Sequence, residues 1–157
     1  MWRVWDVVER LTGAWALVSA GVFLSFSTFV MSGLGRLGAD EGVHAMRQVN
    51  IAAPRSPLFM ATLFGPGLLS LAVAVHALLV WQGERSVLEL VGASAYVLGV
   101  VGVTVGYHVP RNVWLEAMDD EAAHQEWRAW ARRWTGANHV RTASALIGGV
   151  LMLLGSR

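Results

Sequence analysis

Four long apolar stretches decide what this chain can fold into. They run near Leu11 to Met31, Leu58 to Trp81, Val87 to Val109 and His139 to Leu154. A hydrocarbon core of roughly 30 Å takes about 20 helical residues to cross, and a helix satisfies every backbone group on the way. The sequence therefore predicts an all-α, integral membrane four-helix bundle, one four-span domain over residues 1–157. The fourth stretch is short, and the helix feeding it is expected to begin near Asp120. The first is longer than the apolar region of a secretory leader and lacks an A-x-A site, so it reads as a retained span.

Composition removes several function classes. Only 15% of residues are charged, against roughly 25% in soluble domains. With no cysteine, disulfides, iron–sulfur clusters and thiolate metal sites are excluded. The net charge of +1 gives no polyanion signal, so the lipid bilayer is an expected partner and nucleic acid is not. The "GLGRLG" run from Gly33 to Gly38 follows a span and no strand, which makes it a turn and not a nucleotide site.

An even number of crossings assigns the polar residues to sides. The loop from Gly33 to Pro57 and the loop from Pro110 to Asn138 share one face of the membrane, and both termini share the other. The first face carries eight arginines (Arg36, Arg47, Arg55, Arg111, Arg128, Arg132, Arg133, Arg141) and the second four (Arg3, Arg10, Arg85, Arg157). The positive-inside rule then makes the loop face cytoplasmic. Small residues at helical spacing mark expected packing faces, and such faces also suit a homo-oligomer: Ala95, Gly99, Gly102 and Gly106 in the third span, Ser144 and Gly148 in the fourth, and Gly21, Ser25, Thr28 and Ser32 in the first. Of the ionisable groups deep in the bundle only His76 stands out, and a helix-to-helix hydrogen bond accounts for it.

Both large loops read as helical. "DEGVHAMRQVNIAA", Asp40 to Ala53, opens with acids suited to a helix N-terminus. In the second loop Trp127, Trp130, Ala131, Trp134, Asn138, Arg141 and Ala145 stay within about 60° of one another if the helix continues through Gly136. An interfacial tryptophan belt with a snorkelling Arg141 would explain the aromatics, but Asn138 is too short to snorkel and its amide needs a partner. In "HVPRN", residues 108 to 112, Pro110 disfavours a helical Val109, so the third span is expected to end close to His108.

The succession "MRQVNIAAPRSPLFMATLFGPG", "VTVGYHVPRNVWL" and "WRAWARRWTGANHVRTASAL" resembles the anthrone oxygenase-like family of small membrane proteins, formerly domain of unknown function 1772. Its three elements fall here on Met46, Asn50, Pro57 and Phe59; on His108, Val109, Pro110 and Asn112; and on Trp134, Asn138 and Arg141. His108 stands where the family often has asparagine. Members with an assigned role convert anthrones into anthraquinones. The resemblance thus implies an oxygenase acting with O₂ on an anthrone-like or other lipophilic phenolic substrate. Such a site needs a base (His108 or His44), donors to an enolate oxygen (Asn50, Asn112, Asn138), an orienting cation (Arg141) and an aromatic slot (Trp134 with Trp114), with Met46 and Phe59 against the substrate. The chemistry can run without a cofactor. The alternative is a transition metal, copper, iron or zinc, ligated by His44, His108 and His139, although His139 lies about 120° from the Asn138 stripe. The other class of function is a non-catalytic small membrane protein that binds a lipophilic ligand or a partner membrane protein.

Overall fold

The computed structural model describes residues 2–156, with side chains from Val4 onward, and all its regular elements are helical. Helix α1 (Trp2–Ser25) continues through a π-helical segment, Phe26–Val30, into a last α turn, Met31–Leu34. The last four residues of "GLGRLG", 35–38, then form the expected turn into α2 (Ala39–Arg55). Next come α3 (Pro57–Leu79), α4 (Glu84–Ala117, α-helical to Tyr96 and partly π-helical beyond it) and α5 (Asp120–Gly155). Four helices are long and apolar enough to cross a membrane, so the chain is an all-α, multi-pass membrane bundle.

Local chemistry sets the boundaries. Pro57 occupies the first turn of α3, and the Ser56 hydroxyl accepts from the Phe59 amide at 3.3 Å. The Asp119 carboxylate accepts from the Ala122 amide at 2.8 Å to start α5, whose first turn carries Asp120 and Glu121. Gly83, with φ of 65°, turns the chain between α3 and α4.

The 36 residues of α5 reach about 54 Å, well beyond a hydrocarbon core. Its second half packs between α1 and α4 through small residues. A methyl on Gly13 would come within 2.8 Å of the Gly149 carbonyl oxygen, and one on Gly148 equally close to that of Gly92. Gly99 abuts Ser144 in the same seam. The expected face fails further along, where an added Cβ meets no neighbouring helix at Gly102 and nothing at all at Gly106. In the first span Gly21 is likewise open. The Ser25 and Thr28 hydroxyls bond back to the carbonyls of Gly21 and Leu24, at 2.9 and 2.7 Å.

Winding explains the slip in α4. After Tyr96 the helix is π-helical over Val97–Gly102 and Thr104–His108, then α-helical again over Val109–Ala117. In an α-helix a four-residue step drifts by about 40°, so the packing face cannot stay at that spacing for long. A π turn holds an extra residue, which removes most of the drift. Tyr96, Val100, Thr104 and His108 consequently all face inward and are buried. The same winding overturns the expected stop at His108. The Val109 amide bonds five residues back to Thr104, Val109 is helical, and Pro110 lies in the first turn of the segment that continues to Ala117.

Beyond the spans, α2 and the first half of α5 form a head layer. Arg47 ties them to the end of α4: its guanidinium donates to Asp120 Oδ1 at 2.7 Å and to the Met118 and Leu115 carbonyls at 2.7 and 3.1 Å. The two large loops therefore meet at one end. The tryptophans are not a lipid-facing belt. Trp127, Trp130 and Trp134 are buried in a core with Val43, Met46 and Leu115. Trp127 stacks on Trp130 and Trp130 on Trp134, with centroids 5.7 and 6.1 Å apart. Gly42 admits Trp127, whose ring would lie 2.7 Å from a methyl there.

Candidate functional site

Under the head layer a cavity of about 620 Å³ opens, drawn from all five helices. Its apolar lining includes Phe23 and Phe26 from α1 and its extension, Met46 from α2, and Phe59 and Leu63 from α3. Asn50, Thr104, His108, Asn112, Trp134 and Arg141 supply the polar groups, with the exposed Glu116 at the rim. That volume falls in the roughly 300–1,000 Å³ range of small-molecule sites.

Arg141 dominates the electrostatics. It is 6% exposed and makes no ion pair with any carboxylate among the described residues. Its Nε and Nη2 donate to Asn138 Oδ1 at 3.1 and 2.6 Å, and Nη1 donates to Thr104 Oγ1 at 3.2 Å. The guanidinium lies 4.6 Å from the Phe23 ring centroid and 5.5 Å from that of Trp134. Of five N–H donors three are thus spent on neutral oxygens, leaving two beside the cavity. A full positive charge inside a membrane bundle without a counter-ion is costly, and an anion in the cavity would offset it.

Asn138 holds that arginine in place. Its Nδ2 donates to the Phe23 carbonyl at 2.7 Å and to Ser27 Oγ at 2.8 Å, so both ends of the amide are occupied. It is completely buried and stands behind the wall. Asn138, expected as a donor to an enolate, thus does not line the cavity: its amide nitrogen is taken up by α1 and its π-helical extension, and its oxygen accepts from Arg141. Asn50 and Asn112 differ. Asn50 Nδ2 is buried without a partner, and Asn112 uses its Oδ1 to accept from Trp134 Nε1 at 2.9 Å, keeping its amide nitrogen as a donor.

His108 completes the polar wall. It is 2% exposed, its ring meets Trp134 edge-on at 4.6 Å, and both ring nitrogens are buried without a hydrogen-bond partner. Buried polar nitrogens without a protein partner are uncommon, which singles His108 out on this wall. The three histidines of the metal alternative lie apart, in three different cavities. His44 is exposed and lines a separate polar cavity with Asp40, Arg47, Asp120 and His124. His139 is exposed on another side of α5, beside Ser27, Thr28 and Arg132. Each is on the wrong face of its helix to join His108, so the three do not form one ligand set. Trp114 also leaves the site: it is 39% exposed and lies under the Arg111 guanidinium, two residues and about 200° beyond Asn112.

Thr104, Phe23 and Ser27 escaped the sequence reading, although all contribute to how Arg141 is held. Thr104 precedes His108 by four residues, a spacing that becomes a signal only once the π winding is known. Phe23 and Ser27 are themselves four residues apart, where α1 passes into its π-helical segment.

The chain matches the family model described as Anthrone oxygenase over residues 58–151, from the start of α3 into the last turns of α5. His108, Asn112, Trp134, Asn138 and Arg141 fall inside the match, and Met46 and Asn50 precede it. No curated protein matches the chain, and no solved structure does. The family match covers more than half of the sequence and contains most of the polar wall, and with the four-span fold it carries one conclusion: the chain belongs to the anthrone oxygenase family.

Proposed function

We propose that the protein is a membrane oxygenase that oxidises an anthrone-like or related lipophilic phenolic substrate with O₂ in the cavity beneath the head layer. The observation that carries this reading is the Arg141 guanidinium, buried without a carboxylate at the wall of an apolar cavity that it shares with an unpartnered histidine. An anthrone is neutral when it enters from lipid and becomes an enolate on losing its benzylic proton. His108 takes that proton. Arg141, with the amides of Asn50 and Asn112, binds the developing oxyanion, whose stabilisation is worth about 3 kcal/mol per preorganised donor. The enolate carbon gives up an electron pair to O₂ and takes on a hydroperoxide with the proton, and loss of water leaves the quinone. One O₂ is consumed, and one water forms for each anthrone.

The test is O₂ uptake and quinone formation by the detergent-solubilised protein supplied with an anthrone. Equal amounts of each are expected, and His108→Phe, which keeps a ring beside Trp134, should abolish both. Oxidation no faster than in protein-free buffer would sink the enzymatic reading. Saturable binding in its place would support a carrier of lipophilic ligands, the second reading, which the mostly apolar lining favours. The same proposal puts the head layer in the cytoplasm on the eight-to-four arginine count. Reporters between Asp119 and Ala123 should give a cytoplasmic signal, and the opposite signal would invert the orientation.

A further inference from the structure

At the end of the bundle away from the cavity, α1, α3 and α4 bring Glu9, His76 and Glu89 together. Both glutamates are completely buried and His76 is 8% exposed. Arg85 takes one oxygen of each carboxylate: Nη2 donates to Glu9 Oε2 at 2.7 Å and Nε to Glu89 Oε1 at 2.8 Å, and Nη2 also reaches Asp6. The other carboxylate oxygens, Glu9 Oε1 and Glu89 Oε2, are buried without a partner, and so is His76 Nδ1. A ligand atom from each of the three residues lies within 4.8 Å of the others, and His76 Nδ1 is 4.0 Å from Glu9 Oε1.

Asp6 is partly exposed and also lies in the field of Arg10, so the two fully buried glutamates share Arg85 and, when both are ionised, carry one negative charge in excess. Arg10, also on this side of the bundle, is turned to the Ser156 carbonyl at 3.1 Å. Two unpaired carboxylate oxygens and an unpaired imidazole nitrogen converge with no surface open to solvent, which is costly unless something positive lies between them.

We propose that Glu9, His76 and Glu89 bind a divalent metal ion of the zinc or manganese class. One such ion offsets the charge excess and satisfies all three orphaned atoms at once. Two carboxylates and one imidazole form a ligand set of the kind zinc accepts, with water in the fourth position. Ligand atoms of a tetrahedral zinc at about 2.1 Å lie about 3.4 Å apart, so small side-chain rotations close the present spacing. Trp5 stacks on His76 at 4.1 Å and 19° and fixes the ring plane. His76 lies one helical turn before the chain leaves α3, about 6 Å, so an aqueous ion reaches it without crossing the apolar core. The ion would staple α1, α3 and α4 at the end opposite the cavity, a role independent of the oxidation proposed there.

The full chain, solubilised in detergent and stripped with chelator, is titrated with Zn²⁺ and with Mn²⁺ while uptake and melting temperature are followed. Stoichiometric uptake with a raised melting temperature is expected. Glu9→Gln and Glu89→Gln should each weaken binding by about a hundredfold or more, and His44→Ala should leave it unchanged. No saturable uptake by the wild type would overturn the site and point to a proton shared between the glutamates; undiminished uptake in Glu89→Gln would overturn it equally. If the glutamine variants fail to insert, pulsed EPR of Mn²⁺-loaded wild type decides, since His76 must appear as a single directly bound imidazole nitrogen and its absence would refute the assignment.

Discussion

Each end of the bundle buries a histidine against a tryptophan and places an arginine nearby, and the two ends differ in what surrounds them. At the cavity end His108 meets Trp134 edge-on, and Arg141 bonds only to an amide and a hydroxyl. At the opposite end His76 lies flat on Trp5, and Arg85 is held by three carboxylates. The first end has positive charge in excess, the second negative. In a membrane protein such imbalances are not left to solvent, so each points to what is bound: an anion formed during reaction beside Arg141, a cation between Glu9 and Glu89.

The largest effect is expected from removing Arg85. Without it two fully buried carboxylates lose their guanidinium, and breaking a buried pair in this way costs about 3–5 kcal/mol. Arg85→Met in chelator-stripped protein should lower the melting temperature sharply or prevent insertion, and added Zn²⁺ should restore part of the loss. A metal-free variant as stable as wild type would break the comparison, because the carboxylates would then not depend on Arg85.

Arg141→Met should cost less stability. No carboxylate is abandoned, although the buried Asn138 Oδ1 and Thr104 Oγ1 lose their donor, at about 1–3 kcal/mol. Turnover of an anthrone should nevertheless fall by about two to three orders of magnitude through loss of the oxyanion's cation. Arg141→Lys should rescue little, since an ammonium cannot reproduce the fork that Asn138 and Thr104 hold. A kcat/KM near wild type in Arg141→Met, measured on folded protein, would remove Arg141 from the chemistry.

The cavity end was largely legible in the sequence and the opposite end was not, for a physical reason. The stripe from Trp127 through Trp134 and Asn138 to Arg141 combines helical period with residue types that do not belong in lipid, so it reads as a buried wall without coordinates. Glu9 and Glu89 lie near the ends of their spans, where a charge normally reaches water. Only the continuation of the buried faces reveals them: Glu9 leads into Thr12, Ala16, Ser19 and Phe23, and Glu89 into Ala93, Tyr96 and Val100. Pro110 misled in the opposite direction, because a rule for α-helices does not anticipate a π segment that absorbs the missing N–H. His44 and His139 show the limit of assigning residues to a side of the membrane. They share the head end with His108, but helix rotation sends them into other cavities.

The smallest effect, and the closest comparison, comes from making one substitution at both ends. Trp134 Nε1 donates to Asn112 Oδ1 at 2.9 Å and so fixes the amide that lines the cavity, while the Trp134 ring stacks on Trp130 and meets the edge of His108. Trp134→Phe keeps an aromatic face for both neighbours and removes that one hydrogen bond, worth about 1 kcal/mol. Asn112 is then free to rotate, and turnover should fall by about fivefold, the rate equivalent of that bond. Trp5→Phe replaces the indole stacked on His76 with a smaller ring at the far end, across the bundle from the cavity. It should leave kcat and KM unchanged and weaken Zn²⁺ uptake, because the His76 ring loses part of the surface that fixes its plane. Loss of turnover in Trp5→Phe, at undiminished stability, would mean that the two ends are coupled through the bundle and that neither charge imbalance can be assigned to its own end alone.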